Sequence, residues 1–412
     1  MQNYDIFFAN KKLFFFFCKK NEIMKYIFIL QICFLFISCD KTASQSVIPQ
    51  IEMNKDYQEK NLFLQDIAEV DYIPLETTDD NLFDGSSIIT EISDQGIVVV
   101  DQYYNKLCFF SLNGKAIGTL SKKGQGPGEY SHLDAAWINR IRNEVFISDR
   151  GQGKLYVYDM KGDFKRSIAF SHSLRQNDIA DYDNDHFVSF KDYPINEGLN
   201  KSVKPYQPIV LVSKENGNVT DSLPYFKDYI ASITIKGVRS GQYRAPQVYC
   251  MAGTNIYLTD IGSDTIFSID RKNGELNPVI TRMPSISLDK DGKYFLHLRG
   301  ATSHFYFLHR QSKEMSMTEG FQIKDEDSHF LMYDRKTNET YCPVLQNKDW
   351  SDYETSMIKI VSGKDNYGYI CLESYKLLEA LEDNKLSGKL KSVAENLKEE
   401  DNPVLMIVKF HK

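Results

Sequence analysis

What this sequence has little of narrows it first. Of its 412 residues seven are cysteine and two are tryptophan, and the four cysteines beyond residue 39, Cys108, Cys250, Cys342 and Cys371, are widely separated. None forms a Cys-x-x-Cys pair, so a zinc or thioredoxin-like site finds no support. Set in apolar runs such as Leu107-Cys108-Phe109-Phe110, they read as buried free thiols. Positive charge is not in excess: 49 Lys and Arg against 56 Asp and Glu leave a net charge of -7, which argues against nucleic acid as a partner. A Gly-x-Ser-x-Gly elbow and a His-Glu-x-x-His helix are both missing. His304 and His309 lie five apart in a strand, on opposite faces. The run Asp181-Tyr182-Asp183-Asn184-Asp185 lacks the glycine and distal glutamate of an EF-hand loop and reads as a turn. No metal, no cofactor and no catalytic residue is therefore expected, although the carboxylates are too many to exclude a glycosidase or lyase.

Apolar side chains are plentiful, with 42% hydrophobic and 13% aromatic residues, enough for a sizeable core. Met24 opens a complete secretory signal: Lys25, an apolar run from Tyr26 to Ile37 broken only by Gln31, then Ser38-Cys39. The run is too short to span a bilayer as a stable helix. Residues 1–23 read as an upstream extension. Leu35-Phe36-Ile37-Ser38-Cys39 resembles the lipobox of bacterial lipoproteins. That resemblance implies that Cys39 carries a diacylglycerol, becomes the mature N-terminus and ties the chain to a membrane. The expected division is 1–38 as extension and signal peptide, 39–61 as a polar lipidated tether, and 62–412 as one globular domain.

A repeat runs through that domain. Ile97-Val98-Val99-Val100-Asp101, Lys106 to Ser111 and Asn113-Gly114 align with Val145 to Asp149, Lys154 to Asp159 and Lys161-Gly162. They align again with Ile256 to Asp260, Thr265 to Asp270 and Asn273-Gly274. Each copy is a strand of β-branched and aromatic residues, a polar loop opened by Asp, a second strand and a tight glycine turn, the pattern of a β-meander. Polar hairpin turns at Asp94-Gln95-Gly96, Arg142-Asn143, Asp183 to Asp185, Gly253 to Asn255, Gly300 to Thr302 and Lys364 to Asn366 mark six units.

A lone four-stranded meander has two open edges and too little core, whereas radial packing of six buries their faces. The predicted fold is all-β, a six-bladed β-propeller with a small helical insertion in the last blade. Surplus length falls in three insertions, Tyr193 to Tyr206, Gln311 to Ser328 and Glu373 to Asn402; the last has leucines at helical spacing around Gly388. The final unit lacks a strand, and Ala68 to Thr77, with alternating Val70 and Tyr72, is expected to complete it and close the ring.

Between the first two units stands Gly124-Gln125-Gly126-Pro127-Gly128-Glu129-Tyr130. It reads as a rigid loop whose amides could form an anion nest, although the spacing is not Gly-x-Gly-x-x-Gly and no helix follows. This loop, the Asp-ended strands, the run Tyr72 to Thr77 and the lipobox together resemble the six-bladed β-propeller lipoproteins of Bacteroidetes, relatives of the NHL-repeat propellers. The resemblance implies the fold and a place in the cell envelope, on its periplasmic or outer-membrane side, and no particular activity.

Strand connections beyond the Asp-ended strands share one face of such a propeller, and function on propellers lives in such loops. That face would collect Asp101, Gln102, Tyr103, Gly124, Gly126, Gly128, Glu129, Tyr130, Asp149, Arg150, Asp260, His309 and Arg310 as a recognition surface for a peptide, a glycan or a partner protein. The three aspartates read first as caps of the following loops. A lyase or hydrolase built in the axial mouth is the competing reading, and convergent His and carboxylate groups there would favour it.

Overall fold

A computed structural model describes residues 48–412, save 84–86, 140, 172–173, 192–200, 238–240, 244–247, 290–291, 320–322 and 326. Six β-sheets follow one another as the blades of a propeller. Blade 1 is Ile88–Ser93, Gly96–Asp101, Lys106–Phe110 and Ala116–Leu120; blade 2 is Ala135–Asn139, Glu144–Asp149, Lys154–Asp159 and Phe164–Ala169. Blade 3 is Leu174–Asp181, His186–Lys191, Ile209–Ser213 and Val219–Ser222; blade 4 is Tyr249–Ala252, Asn255–Leu258, Thr265–Ile269 and Leu276–Met283. Blade 5 is Tyr294–Ala301, Phe305–Ser312, His329–Asp334 and Glu339–Asn347. Blade 6 takes Lys359–Ile360, Tyr367–Leu372 and Val404–Phe410 from the C-terminal part of the chain. The first strand of each blade, A, is innermost and approaches the first strand of its neighbour from blade 2 round to blade 6.

Strand periodicity explains the radial stacking. Successive side chains of a strand point to opposite faces, and here both faces are apolar. Ile97 and Val99 pack with Tyr369, Leu405 and Ile407 of blade 6. Val98 and Val100, one residue out of step, pack with Val145, Ile147 and Tyr158 of blade 2. Phe146 in turn faces Phe187 and Val212 of blade 3. Burying such a side chain stabilises by about 1.5–3 kcal/mol, and each sheet does so twice.

The N-terminal segment closes the ring. Ala68–Pro74 pairs antiparallel with Val404–Phe410 through seven consecutive residues, Ala68 against Phe410 to Pro74 against Val404, and supplies the fourth strand of blade 6. Part of the stretch 39–61 expected as a tether is built into the fold. Gln50–Glu52 adds a parallel fifth strand to the rim of blade 4, and Glu59–Phe63 does the same on blade 5. Ile51, Met53 and Leu64 are fully buried, and this burial holds the segment down as a strap around three blades. A short helix, α1, Leu64–Ile67, turns it towards blade 6.

Two further helices, α2, Ser374–Glu382, and α3, Gly388–Ala394, form the expected insertion in blade 6. They bury Leu377, Ala380, Leu390 and Ala394. One expected turn moves: Gly300 and Ala301 belong to strand A of blade 5, and the reversal is made by Thr302, whose hydroxyl accepts the N–H of Phe305 at 2.9 Å. No helix among the described residues is long and apolar enough to cross a membrane.

Candidate functional site

In a four-stranded antiparallel meander the B–C loop and the connection to the next blade leave at the same end. The three insertions follow strand B of blades 3, 5 and 6, so they share that face. The connection from blade 3 to blade 4 is long as well, and its strand Ile233–Gly237 pairs parallel with Glu314–Met317 of the blade 5 insertion. This pairing joins segments some 80 residues apart and roofs part of the face. Of the insertion in blade 3, Lys201–Tyr206 pairs with Lys227–Ile230, while 193–200 lie outside the described residues.

The repeated aspartates are buried, and each accepts hydrogen bonds from its following loop, although Asp101 Oδ2 is buried without a hydrogen-bond partner. Asp149 accepts the N–H and Oγ–H of Ser131, both at 2.7 Å, together with the N–H groups of His132 and Gln152. Burial would raise its pKa; these donors outweigh burial and hold it below the usual carboxylate range. Asp101 accepts the N–H of Tyr104 at 2.9 Å. Asp260 caps Gly262 at 3.0 Å, accepts Tyr225 Oη–H at 3.1 Å and pairs with the buried Lys227. A carboxylate that satisfies buried loop amides is a cap, so this trio shapes loops and lies below the open surface.

The glycine loop is likewise filled from within. Gly126 N–H donates to Glu129 Oε2 at 2.8 Å, and a Cβ on Gly124 would stand 1.9 Å from the same oxygen. The loop therefore cradles its own carboxylate. Tyr130 is fully buried between the rings of Tyr156 and Tyr158 and donates to Asn105 O at 2.7 Å. Tyr158 Oη–H bonds Gly128 O at 2.7 Å. Gly128 has φ +79°, and a Cβ there would strike the Phe164 ring at 2.6 Å. The loop is a stitch between blades 1 and 2, with a groove of about 740 Å³ beside it, lined by Gln125, Glu129, Gln152, Lys154 and Phe164 among others.

Elsewhere on this face Tyr103 is 78% exposed and packs edge-on against Tyr104. Gln102 donates to Asp134 O, and the Arg150 guanidinium to Asp134 Oδ1 at 3.1 Å. His309 and Arg310 are buried in blade 5. Burial forces these last two, with Tyr130, Asp101, Asp149 and Asp260, out of any open surface; Gln102, Tyr103 and Arg150 remain on it.

A cavity of about 970 Å³ opens under the paired insertions, which sequence reasoning missed because no single segment builds it. Its wall joins Ser202 from the blade 3 insertion, Asp228, Tyr229 and Thr234 from the following connection, Asp264 from blade 4, Ser287 and Lys293 before blade 5, and Glu314 and Asp327 from the blade 5 insertion. Asp264 accepts Ile286 N–H at 2.6 Å and Asp289 pairs with the buried Arg282, so two wall carboxylates are fixed by the fold. Leu288, between the wall residues Ser287 and Asp289, is 81% exposed. No group of three or more His, Cys, Asp and Glu side chains placed to hold a metal is found among the described residues.

Residues 48–409 match the profile of a domain of unknown function, DUF4934. The chain belongs to that family. No curated protein sequence matches this DUF4934 chain. Among solved structures, a Bacteroides fragilis protein described as exported superposes with a TM-score of 0.58 at 17% identity, over 89% of this chain and 100% of that one. At that identity the match establishes a shared fold. A member of the DUF4221 family from Bacteroides vulgatus gives 0.48 at 10% identity over 84% and 98% of the two chains. Virginiamycin B lyase from Staphylococcus aureus gives 0.36 at 10% over 82% and 99%; likeness at these two levels carries no functional argument.

Proposed function

We propose that this propeller is a non-catalytic binding module of the cell envelope, of NHL-like descent and lipid-anchored through Cys39, whose ligand is a glycan held in the cavity under the insertions. The observation that carries the reading is the cavity wall. Serine and threonine hydroxyls alternate with carboxylates and two lysines around a volume of about 970 Å³, with Tyr229 as a half-buried ring. Sugar hydroxyls each donate and accept, so a wall of carboxylates and hydroxyls pairs with them, and an aromatic face covers the apolar side of a sugar ring. The volume lies at the upper end of small-ligand pockets.

A lyase or hydrolase in the axial mouth called for histidine beside a carboxylate. His297 and His309 do meet near the axis, but no carboxylate hydrogen-bonds to either among the described residues. A glycan array probed with the protein, beside a peptide array, tests the binding reading: retention of glycans supports it, whereas retention of peptides alone, or of nothing, rejects the glycan. Mass spectrometry of the envelope protein tests the anchor, since Cys39→Ala must abolish a diacylglycerol adduct.

A further inference from the structure

Blade 5 carries two arginines, Arg299 half-buried and Arg310 buried, beside two buried neutral histidines, and neither arginine meets a carboxylate among the described residues. Its innermost strand pairs with the next so that His297 lies opposite His309, and His309 lies opposite Phe330 one strand further. The His309 ring stacks on Phe330 at 4.6 Å and on His297 at 6.3 Å. Arg299 sits where the register slips between Leu298 and Gly300, and such a bulge re-aims a side chain out of the strand's alternation. Its Nη2 donates to His309 Nδ1 at 3.2 Å. Burial lowers the pKa of Arg299, and the other group acting on it is the thiol of Cys250, on the innermost strand of blade 4. Burial and the nearby guanidinium push His309 down to about 4, so its neutral ring accepts at Nδ1 and supplies no negative charge.

Arg310, on the adjoining strand, is also buried; it donates to the carbonyls of Met53 and Lys55 and lies over the Tyr294 ring at 4.7 Å. Its Nε is buried without a hydrogen-bond partner, while the side chains of His297 and Gln311 lie against each other. Three other buried cations of this chain meet carboxylates, Lys214 with Asp181, Lys227 with Asp260 and Arg282 with Asp289, while Lys106 donates to the carbonyl of Asp80 at 2.9 Å. Arg299 has no carboxylate partner among the described residues. A guanidinium partly withdrawn from water without a counter-ion loses solvation that nothing replaces, a loss that a bound anion offsets.

We propose that Arg299 anchors an oxyanion site on the inner wall between blades 4 and 5, where one carboxylate or phosphate group of a ligand supplies the missing charge. Arg299 keeps partial exposure while His297 behind it has almost none, so the anion meets the guanidinium and not the rings. The planar fork binds either group through two parallel hydrogen bonds. His309 is a positioning residue that holds one arm of the fork. The site is distinct from the glycan cavity and stands or falls without it.

The test uses lipid-free protein, Cys39→Ser, titrated with sodium acetate, sodium phosphate or sodium chloride at constant ionic strength while the melting midpoint is followed. A ligand that binds the native state raises the midpoint with saturation. Acetate or phosphate, but not chloride, is expected to do so, and which of them acts identifies the source. Arg299→Met must remove the response while melting at or above the wild type in chloride, because it deletes an uncompensated charge. Arg299→Lys must keep a response weakened about tenfold. The proposal is overturned if the wild type responds to oxyanions no more than to chloride, or if Arg299→Met responds like the wild type. It is equally overturned if Arg299→Met melts well below the wild type in chloride while Arg299→Lys binds at wild-type strength.

Discussion

The Glu129 carboxylate accepts the N–H of Gly126, three residues earlier, at 2.8 Å, so a loop whose glycines suggest a phosphate cradle is closed by its own side chain. Glu129→Ala should cost about 0.5–1.5 kcal/mol, the net worth of one such hydrogen bond. Gly128→Ala should cost more, about 1–3 kcal/mol, because it adds positive-φ strain to a collision with Phe164. Urea unfolding of both variants checks the order; equal losses would mean that the loop is held by other contacts.

Closure by the strap makes a graded prediction. Removing residues up to 58 strips one rim strand from blade 4, whereas removing residues up to 80 also takes the rim strand of blade 5 and uncovers Val404–Phe410. The longer deletion loses the burial of Leu64, Ala68, Tyr72 and Leu75 as well, worth about 5 kcal/mol or more together, and leaves an open edge. Its melting midpoint should collapse while the shorter deletion remains folded. An unchanged midpoint for the longer deletion would refute ring closure.

Glu144 sets an acid limit. Burial raises its pKa, but the Arg166 fork at 2.6 and 3.0 Å and Lys165 at 2.7 Å outweigh burial and bring it down to about 2. The folded value lies below the ordinary 4.5, so the stability it contributes is complete above pH 4.5 and is lost as pH falls towards 2. Glu144→Gln should therefore be less stable than the wild type at pH 7, by about 1–3 kcal/mol. The two unfolding curves should converge between pH 4.5 and 2, and a constant gap across that range would contradict the assignment.

Much of the fold was legible because it rests on local rules. The alternation in Ile97 to Val100 requires two apolar faces, the Asp-to-Gly spacing marks the meander, and the leucines around Gly388 mark helices. The missing strand of blade 6 was legible at Val70 and Tyr72 for the same reason. Illegible were the features that depend on distant partners. Gln50 to Glu52 is too short and polar to announce itself as a strand; Ile233 to Gly237 gains its meaning only beside Glu314 to Met317, and the cavity depends on that pairing. At the candidate site the pattern did not reveal depth. Tyr130, with its hydroxyl on Asn105, and Arg310, with its guanidinium on the carbonyls of Met53 and Lys55, are polar groups that a strand pattern places on a face without revealing that backbone covers them.

The cavity is the centre of this account, and calorimetric titration with an array-selected oligosaccharide tests it most directly. Asp228 and Ser287 are exposed in its wall, so Asp228→Ala with Ser287→Trp removes a carboxylate and fills space without touching the core. The account predicts at least a tenfold loss of affinity in that double variant and wild-type affinity in Tyr103→Ala with Tyr104→Ala on the far side of the same face. Equal binding by the cavity variant and the wild type would contradict it.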